Sequence, residues 1–252
     1  EAGAGKDCKD RSGDKDFWAN DSKTALLLAS RSGHLEIARL LVEAGADKDG
    51  KDQSGMTALM LASKGGHTEV AKLLVEDGAD KDCGAFGRTA VMLAAQSGHL
   101  EIVRFLEAGA EKDSVDENGK TALILAAENS HLEVARLPVQ AGADKDVMDL
   151  HSGKTALMLA SRSGQLEIAR LLVEAGADKD CKGRSGMTAL MLASRAGHLQ
   201  VARLLAKARA ETNCRCHDGQ TALMLASEFG HLQVARLLVE AAADKACRAN
   251  AA

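Results

Sequence analysis

The chain repeats itself. The tripeptide Thr-Ala-Leu, or once Thr-Ala-Val, begins at Thr24, Thr57, Thr89, Thr121, Thr155, Thr188 and Thr221, so the steps are 33, 32, 32, 34, 33 and 33 residues. Residues 24–49 and 155–180 differ at only two positions. A period of this length means that each unit is one supersecondary element, which buries its apolar face only by stacking on like neighbours. Composition agrees with helical units. Aromatic residues are 2% of the 252, with no Tyr and one Trp (Trp18), which is poor material for a sandwich or barrel. Ala and Leu dominate and Pro occurs once, a composition that favours helices.

Each unit divides into two short helices. In the second unit Thr57 has the side chain of an N-cap. Leu59, Met60, Leu61 and Ala62 then form a first helix that is apolar on most sides and therefore sandwiched. Ser63-Lys64-Gly65-Gly66-His67 is a glycine-containing break. Val70, Leu73 and Leu74 follow at the i, i+3, i+4 spacing of an amphipathic second helix. Gly78 stands where a left-handed residue ends a helix.

Helix–turn–helix units with a Thr-x-Leu-x-x-Ala start, a Gly-His break and a Gly-Ala-Asp exit resemble ankyrin repeats. The resemblance covers 24–252 as seven units and implies an all-α repeat solenoid: one continuous stack of helix–turn–helix units joined by β-hairpin-like loops. Residues 1–23 read as a partial, irregular remnant of an earlier unit, with Phe17 and Trp18 in its hairpin. Two departures from the family pattern Thr-Pro-Leu-His are systematic. Ala replaces Pro in all seven units. The family's His becomes Met60, Met92, Met158, Met191 and Met224, with Leu27 and Ile124 in the other two. Apolar packing between neighbours is expected in place of that imidazole hydrogen bond.

Several columns carry chemistry-bearing residues, and in each the structural reading outweighs the catalytic one. "GADKD" occurs at 45–49, 78–82, 142–146 and 176–180. Two carboxylates two residues apart suit a hard cation, but a Ca²⁺ loop also needs a bidentate Glu at a fixed later position, and none follows. Asp in a turn bonds its own backbone instead. The break histidines (His34, His67, His99, His131, His198, His231, with Gln165 in the remaining unit) are spread along the stack, because packed helices lie about 8–10 Å apart. The same spacing keeps Cys83, Cys181, Cys214 and Cys247 from pairing, and Cys8 shares their local motif. Free thiols point to a reducing, cytoplasm-like compartment. Cys214-Arg-Cys216-His217 lacks a second ligand pair at zinc spacing. The basic column from Arg39 to Arg236 is matched by Glu or Gln three residues earlier, as intrahelical pairs. No nucleophile motif, phosphate loop or dinucleotide fingerprint occurs. No enzyme activity, metal or cofactor is therefore expected. A net charge of −4 speaks against nucleic acid, and no apolar run is long enough to span a membrane. No signal peptide is evident. Glu1 is not an initiator, so the numbering is expected to begin inside a longer or processed protein.

Function is expected where the units vary. The resemblance implies binding of proteins on the concave side, built from hairpin tips and first helices. The framework columns are nearly constant, while two stretches differ: the hairpin before each Thr and the end of helix one. From these come the candidate partner-binding residues: Arg31, Gln53, Met56, Lys64, Phe86, Arg88, Gln96, Asn118, Lys120, Glu128, Leu150, His151, Arg162, Arg184, Met187, Arg195, His217, Gln220 and Phe229. Phe86, Leu150 and Phe229 are apolar where a turn or helix end is ordinarily polar, which makes them candidate anchors. The expected function is a non-catalytic protein–protein interaction scaffold. Two alternatives are a subunit docked permanently in a larger assembly, which an apolar seventh first helix with no polar capping version favours, and the regulatory repeats of a larger enzyme. Irregular unit lengths, Ser130 in the glycine column and Pro138 inside a helix predict a bend or soft joint around residues 100–154.

Overall fold

Fourteen α-helices in seven pairs make up the repeats of the computed structural model, which describes residues 24–107 and 111–249, with side chains to residue 242. The first helices are α1 (Ala25–Ser32), α3 (Ala58–Gly65), α5 (Ala90–Ser97), α7 (Ala122–Glu128), α9 (Ala156–Ser163), α11 (Ala189–Ala196) and α13 (Ala222–Glu228). Their partners are α2 (Leu35–Glu43), α4 (Thr68–Glu76), α6 (Leu100–Glu107), α8 (Leu132–Gln140), α10 (Leu166–Glu174), α12 (Leu199–Lys207) and α14 (Leu232–Ala249). Six of the seven threonines cap as expected: each Oγ1 accepts from the backbone N–H three residues on, as from Met158 to Thr155 at 3.3 Å. Thr89 sits in the same extended conformation without that bond.

The chain divides into two compact units, residues 1–117 and 118–252. In the first, α1, α3 and α5 pack in order, with α2, α4 and α6 as a second layer. In the second, α7, α9, α11 and α13 do the same, with α8, α10, α12 and α14 behind them. The division falls inside the 100–154 stretch, where the irregular unit lengths cluster. The single continuous solenoid and the soft joint expected there remain proposals.

Which side of a first helix meets which neighbour is legible at the ends. In α1 Leu26 and Leu27 are buried while Leu28 is exposed; in α13 Leu225 is buried while Leu223 and Met224 are exposed. The third and fourth residues from the Thr therefore pack towards the following repeat, counting Thr as the first of the unit and Leu26 and Leu27 as third and fourth. The next residue packs towards the preceding one. Met60, Met92, Met158 and Met191 are buried, as expected for apolar packing in place of an imidazole.

Two irregularities resolve simply. Pro138 is buried within α8 and does not end it, because the helix continues to Gln140. Ala242 stands in the column whose residue ends α2, α4, α8 and α10 as a glycine, and α12 as Arg209, at positive φ; α14 instead runs on to Ala249. Among the described residues there is no strand. The expected hairpin-like loops are turns, with one isolated antiparallel bridge between Ala85 and Arg88. No helix among them is long and apolar enough to cross a membrane. The N-terminal remnant, with Phe17 and Trp18, lies outside the described residues.

Candidate functional site

The turns that lead into the varied hairpins are built by the "GADKD" aspartates. Asp80 Oδ1 accepts from the Asp82 N–H at 2.9 Å, and the pairs Asp47–Asp49, Asp144–Asp146 and Asp178–Asp180 are alike. These are the self-bonded turns expected of Asp. The second aspartate does more. Asp49 Oδ1 accepts from the Asp80 N–H of the next repeat at 3.0 Å, Asp146 from Asp178 at 2.9 Å, and Asp180 from Glu211 at 2.7 Å. The carboxylates thus form a ladder that sets the register of one turn on the next. Among the described residues no three His, Cys, Asp or Glu side chains cluster as a metal would need.

The break histidines form a second ladder. Their Nε2–H groups donate to the carbonyl at the end of the preceding first helix: His67 to Arg31 at 3.0 Å, His99 to Lys64 at 3.2 Å, His198 to Arg162 and His231 to Arg195 at 3.1 Å. A carbonyl only accepts, so Nε2 carries the proton. The ring lies against the preceding glycine. Gly164 has φ +72°, and a Cβ there would meet His198 Nδ1 at 2.6 Å. Repeat four breaks this rule with Ser130, at φ +64°, and repeat five answers with Gln165. The slimmer amide donates to Ser130 Oγ at 2.6 Å, where an imidazole would collide with the extra carbon. The two exceptions are one substitution in two parts. An imidazole bond between neighbours is therefore present after all, made by a different column from the one occupied by Met.

Tip-to-tip backbone bonds order the hairpins within each unit: Glu117 N–H to Phe86 O, Leu150 N–H to Asn118 O, Arg184 N–H to Ser152 O and His217 N–H to Ser185 O. Of the candidate residues, Arg31, Gln53, Lys64, Phe86, Glu128, Leu150, His151, Arg162, Arg184, Arg195, His217 and Phe229 are exposed. Met56, Arg88, Gln96, Asn118, Lys120 and Gln220 are half-buried. Met187 is buried, because the Gly183–Met187 turn folds it against the core; it packs and presents no contact surface. Several of these residues are already engaged. Arg88 reaches the buried Asp116 carboxylate at 3.4 Å, Lys120 binds Glu128 at 2.6 Å, and Gln220 donates to Glu228 at 2.7 Å. The Arg195 guanidinium lies 5.3 Å from the centre of the Phe229 ring, a cation–π distance.

Two side chains at the candidate site are not distinguished by the repeat pattern alone. Asp149 is buried and braces its hairpin. Burial opposes its charge, but bonds from the Ser152 hydroxyl and the Ser152, Lys154 and His151 N–H groups outweigh that and hold its pKa below the ordinary value. Lys154, half-buried beside it, has its pKa lowered by burial and by the nearby Arg162, partly offset by Asp149. The signal was a spacing: the residue before each Thr stands eight positions ahead of the end of helix one, as in Lys120/Glu128.

Cys83, Cys181, Cys214 and Cys216 are free thiols. Burial, then Asp178 and Asp146, push the Cys181 pKa up, so it stays a protonated, weakly reactive thiol. The side chains of Cys8 and Cys247 lie outside the described residues.

Comparison with known proteins bears on the whole chain. A family model for ankyrin repeats (three copies) matches residues 3–85, 45–116, 91–183 and 176–249. Among solved structures, the crystal structure of the ankyrin repeat domain of Bcl-3, described as a unique member of the IκB protein family, is similar. It is 28% identical, with a TM-score of 0.76 over 86% of this chain and 99% of that one. No curated protein matches the sequence.

Proposed function

The chain belongs to the ankyrin-repeat family, and from that premise we propose that it is a non-catalytic scaffold binding a partner protein through its hairpin tips and first-helix ends. Ankyrin repeats are in general protein–protein interaction modules. One observation carries the reading. The constant residues are either buried in the core or spent on the aspartate and histidine ladders, whereas the residues that vary from repeat to repeat are mostly exposed on the hairpin and first-helix side of each unit. A rigid, repeated frame presenting unlike side chains along one side suits recognition of an extended surface. A photo-crosslinking residue at Gln53 or Arg184 is expected to capture a partner in native extract, and one at Glu69 or Glu167, on second helices, is not. Capture from the second helices alone, or from neither side, would overturn the proposal.

A specific observation supports the assembly-subunit reading as a second possibility. Leu223, Met224, Leu232 and Val239 are exposed on the seventh repeat, whereas in the interior repeats the counterparts of the first two are buried and those of the last two half-buried. Permanent docking there predicts that Met224→Glu abolishes co-purification of another chain, while substitutions at the hairpin tips leave it intact.

A further inference from the structure

The pair of positions eight residues apart, just before each capping Thr and at the end of helix one, distinguishes the repeats of the second unit. In repeat four it is Lys120 and Glu128, in contact at 2.6 Å; in repeat seven it is Gln220 and Glu228 at 2.7 Å. Both pairs are complementary and closed. Repeat five instead places Lys154 and Arg162 there, two cations close enough for Arg162 to lower the Lys154 pKa. The stem of Arg184, from the next hairpin, lies over Gly153, where a Cβ would meet its Cγ at 2.9 Å, so a third basic residue packs on the hairpin that carries Lys154. None of the three has an ion pair among the described residues. The one carboxylate that acts on Lys154, Asp149, is committed to its own hairpin through bonds from Ser152, Lys154 and His151. One repeat further on, Arg195 lies over Phe229, an exposed aromatic ring at a helix end. Among the described residues of the first unit no such pair is doubly cationic: Met56 precedes Lys64, and Arg88, spent on Asp116, precedes Gln96; Lys23, eight residues before Arg31, lies outside the described residues.

Like charges held together without counter-charge destabilise the free surface, and an arriving anion relieves this, so the cluster favours a charged ligand more than scattered lysines would. Guanidinium groups bind carboxylates in bidentate fashion. A chain with net charge −4 and one exposed ring in this region lacks the extended basic and aromatic surface that a nucleic acid requires. We propose that the hairpin and first-helix side of repeats five to seven receives an acidic segment of the partner protein. Its carboxylates meet Lys154, Arg162 and Arg184, and an apolar side chain of the segment packs against Phe229.

This rests on the interaction-scaffold reading, and the test separates the two. The probe is a fluorescein-labelled peptide of Glu, Leu and Ala, read by anisotropy at 0.15 M salt against a peptide with Gln for Glu. The variant is Lys154→Met with Arg162→Gln, which uses residues the chain already carries at the equivalent positions Met56 and Gln96. The acidic peptide is expected to bind saturably, the Gln peptide not. The double variant should weaken binding about tenfold, while Lys64→Gln in the first unit leaves it within about twofold. No saturable binding, equal binding by the double variant, or tighter binding of a single-stranded oligonucleotide of the same charge would each overturn the inference. Crosslinking from Arg184 is repeated in the Lys154→Met/Arg162→Gln background. A partner captured undiminished there overturns the acidic-segment inference alone, and no partner captured from the tips of the parent chain overturns the scaffold reading as well.

Discussion

Repeats one and five have almost the same letters and different burial. Leu28 is 46% exposed and its counterpart Leu159 9%; Ile37 is 52% exposed and Ile168 2%. The seventh repeat shows the reverse side of the same effect, with Met224 49% exposed against 1% for Met158. Residue identity, helix position and capping are shared, so the difference is the neighbour. In a repeat protein each unit contributes half of two interfaces, and a side chain enters the core only where another unit supplies the other half.

The largest test of that comparison is to truncate the same residue in both settings. Met158→Ala should cost about 3 kcal/mol and Met224→Ala under about 1 kcal/mol in chemical denaturation, because only the first leaves a cavity. Equal costs would mean that another body covers the seventh repeat in solution. Next comes Gly164→Ala, expected to cost about 2 kcal/mol or more from left-handed strain and collision with the His198 ring. Hydrogen exchange should locate the loss at the junction of repeats five and six.

The exception at repeats four and five offers a sharper, smaller test. Gln165→His alone is expected to destabilise by about 1 kcal/mol through contact with the Ser130 carbon. The double variant Ser130→Gly/Gln165→His should recover most of this by restoring the regular pair. Additivity of the two substitutions would sink the view that they compensate each other.

The smallest effect concerns repeat three. Burial pushes the Glu107 pKa up from the ordinary carboxylate value to about 7. The folded state therefore holds this proton more tightly than the unfolded chain. Stability gained by protonation is present at about pH 4.5 and is lost as pH rises through 7. The first unit should melt lower at pH 8 than at pH 5.5, and Glu107→Gln should flatten that slope. An unchanged slope would assign the dependence to other groups.

Much of this was legible in the letters. The repeat, the threonine caps, the glycine ends and the buried Met column all follow from local patterns that a single unit displays. The candidate site was legible in part. Variation singled out Phe86, Arg162, Arg195 and Phe229, which are exposed, but also Met187, which a turn folds inwards. Lys154 was not picked out because it stands as one letter in a varied hairpin; its meaning comes from Arg162, eight residues on, and from Arg184 in the next repeat. Asp149 and Asp116 read as ordinary turn acids, and only burial reveals them as braces.

By itself the sequence determined the unit, its two helices and their ends, since these depend on side chains a few residues apart bonding to nearby backbone. The tertiary structure decided which partner each unit's second aspartate and histidine would find about one repeat away, and which of two nearly identical repeats would be buried. It also decided where positive charge would stand uncompensated. Those outcomes depend on distances between residues some 30 positions apart, which the packing of one repeat on the next brings within hydrogen-bonding range and which no local pattern encodes.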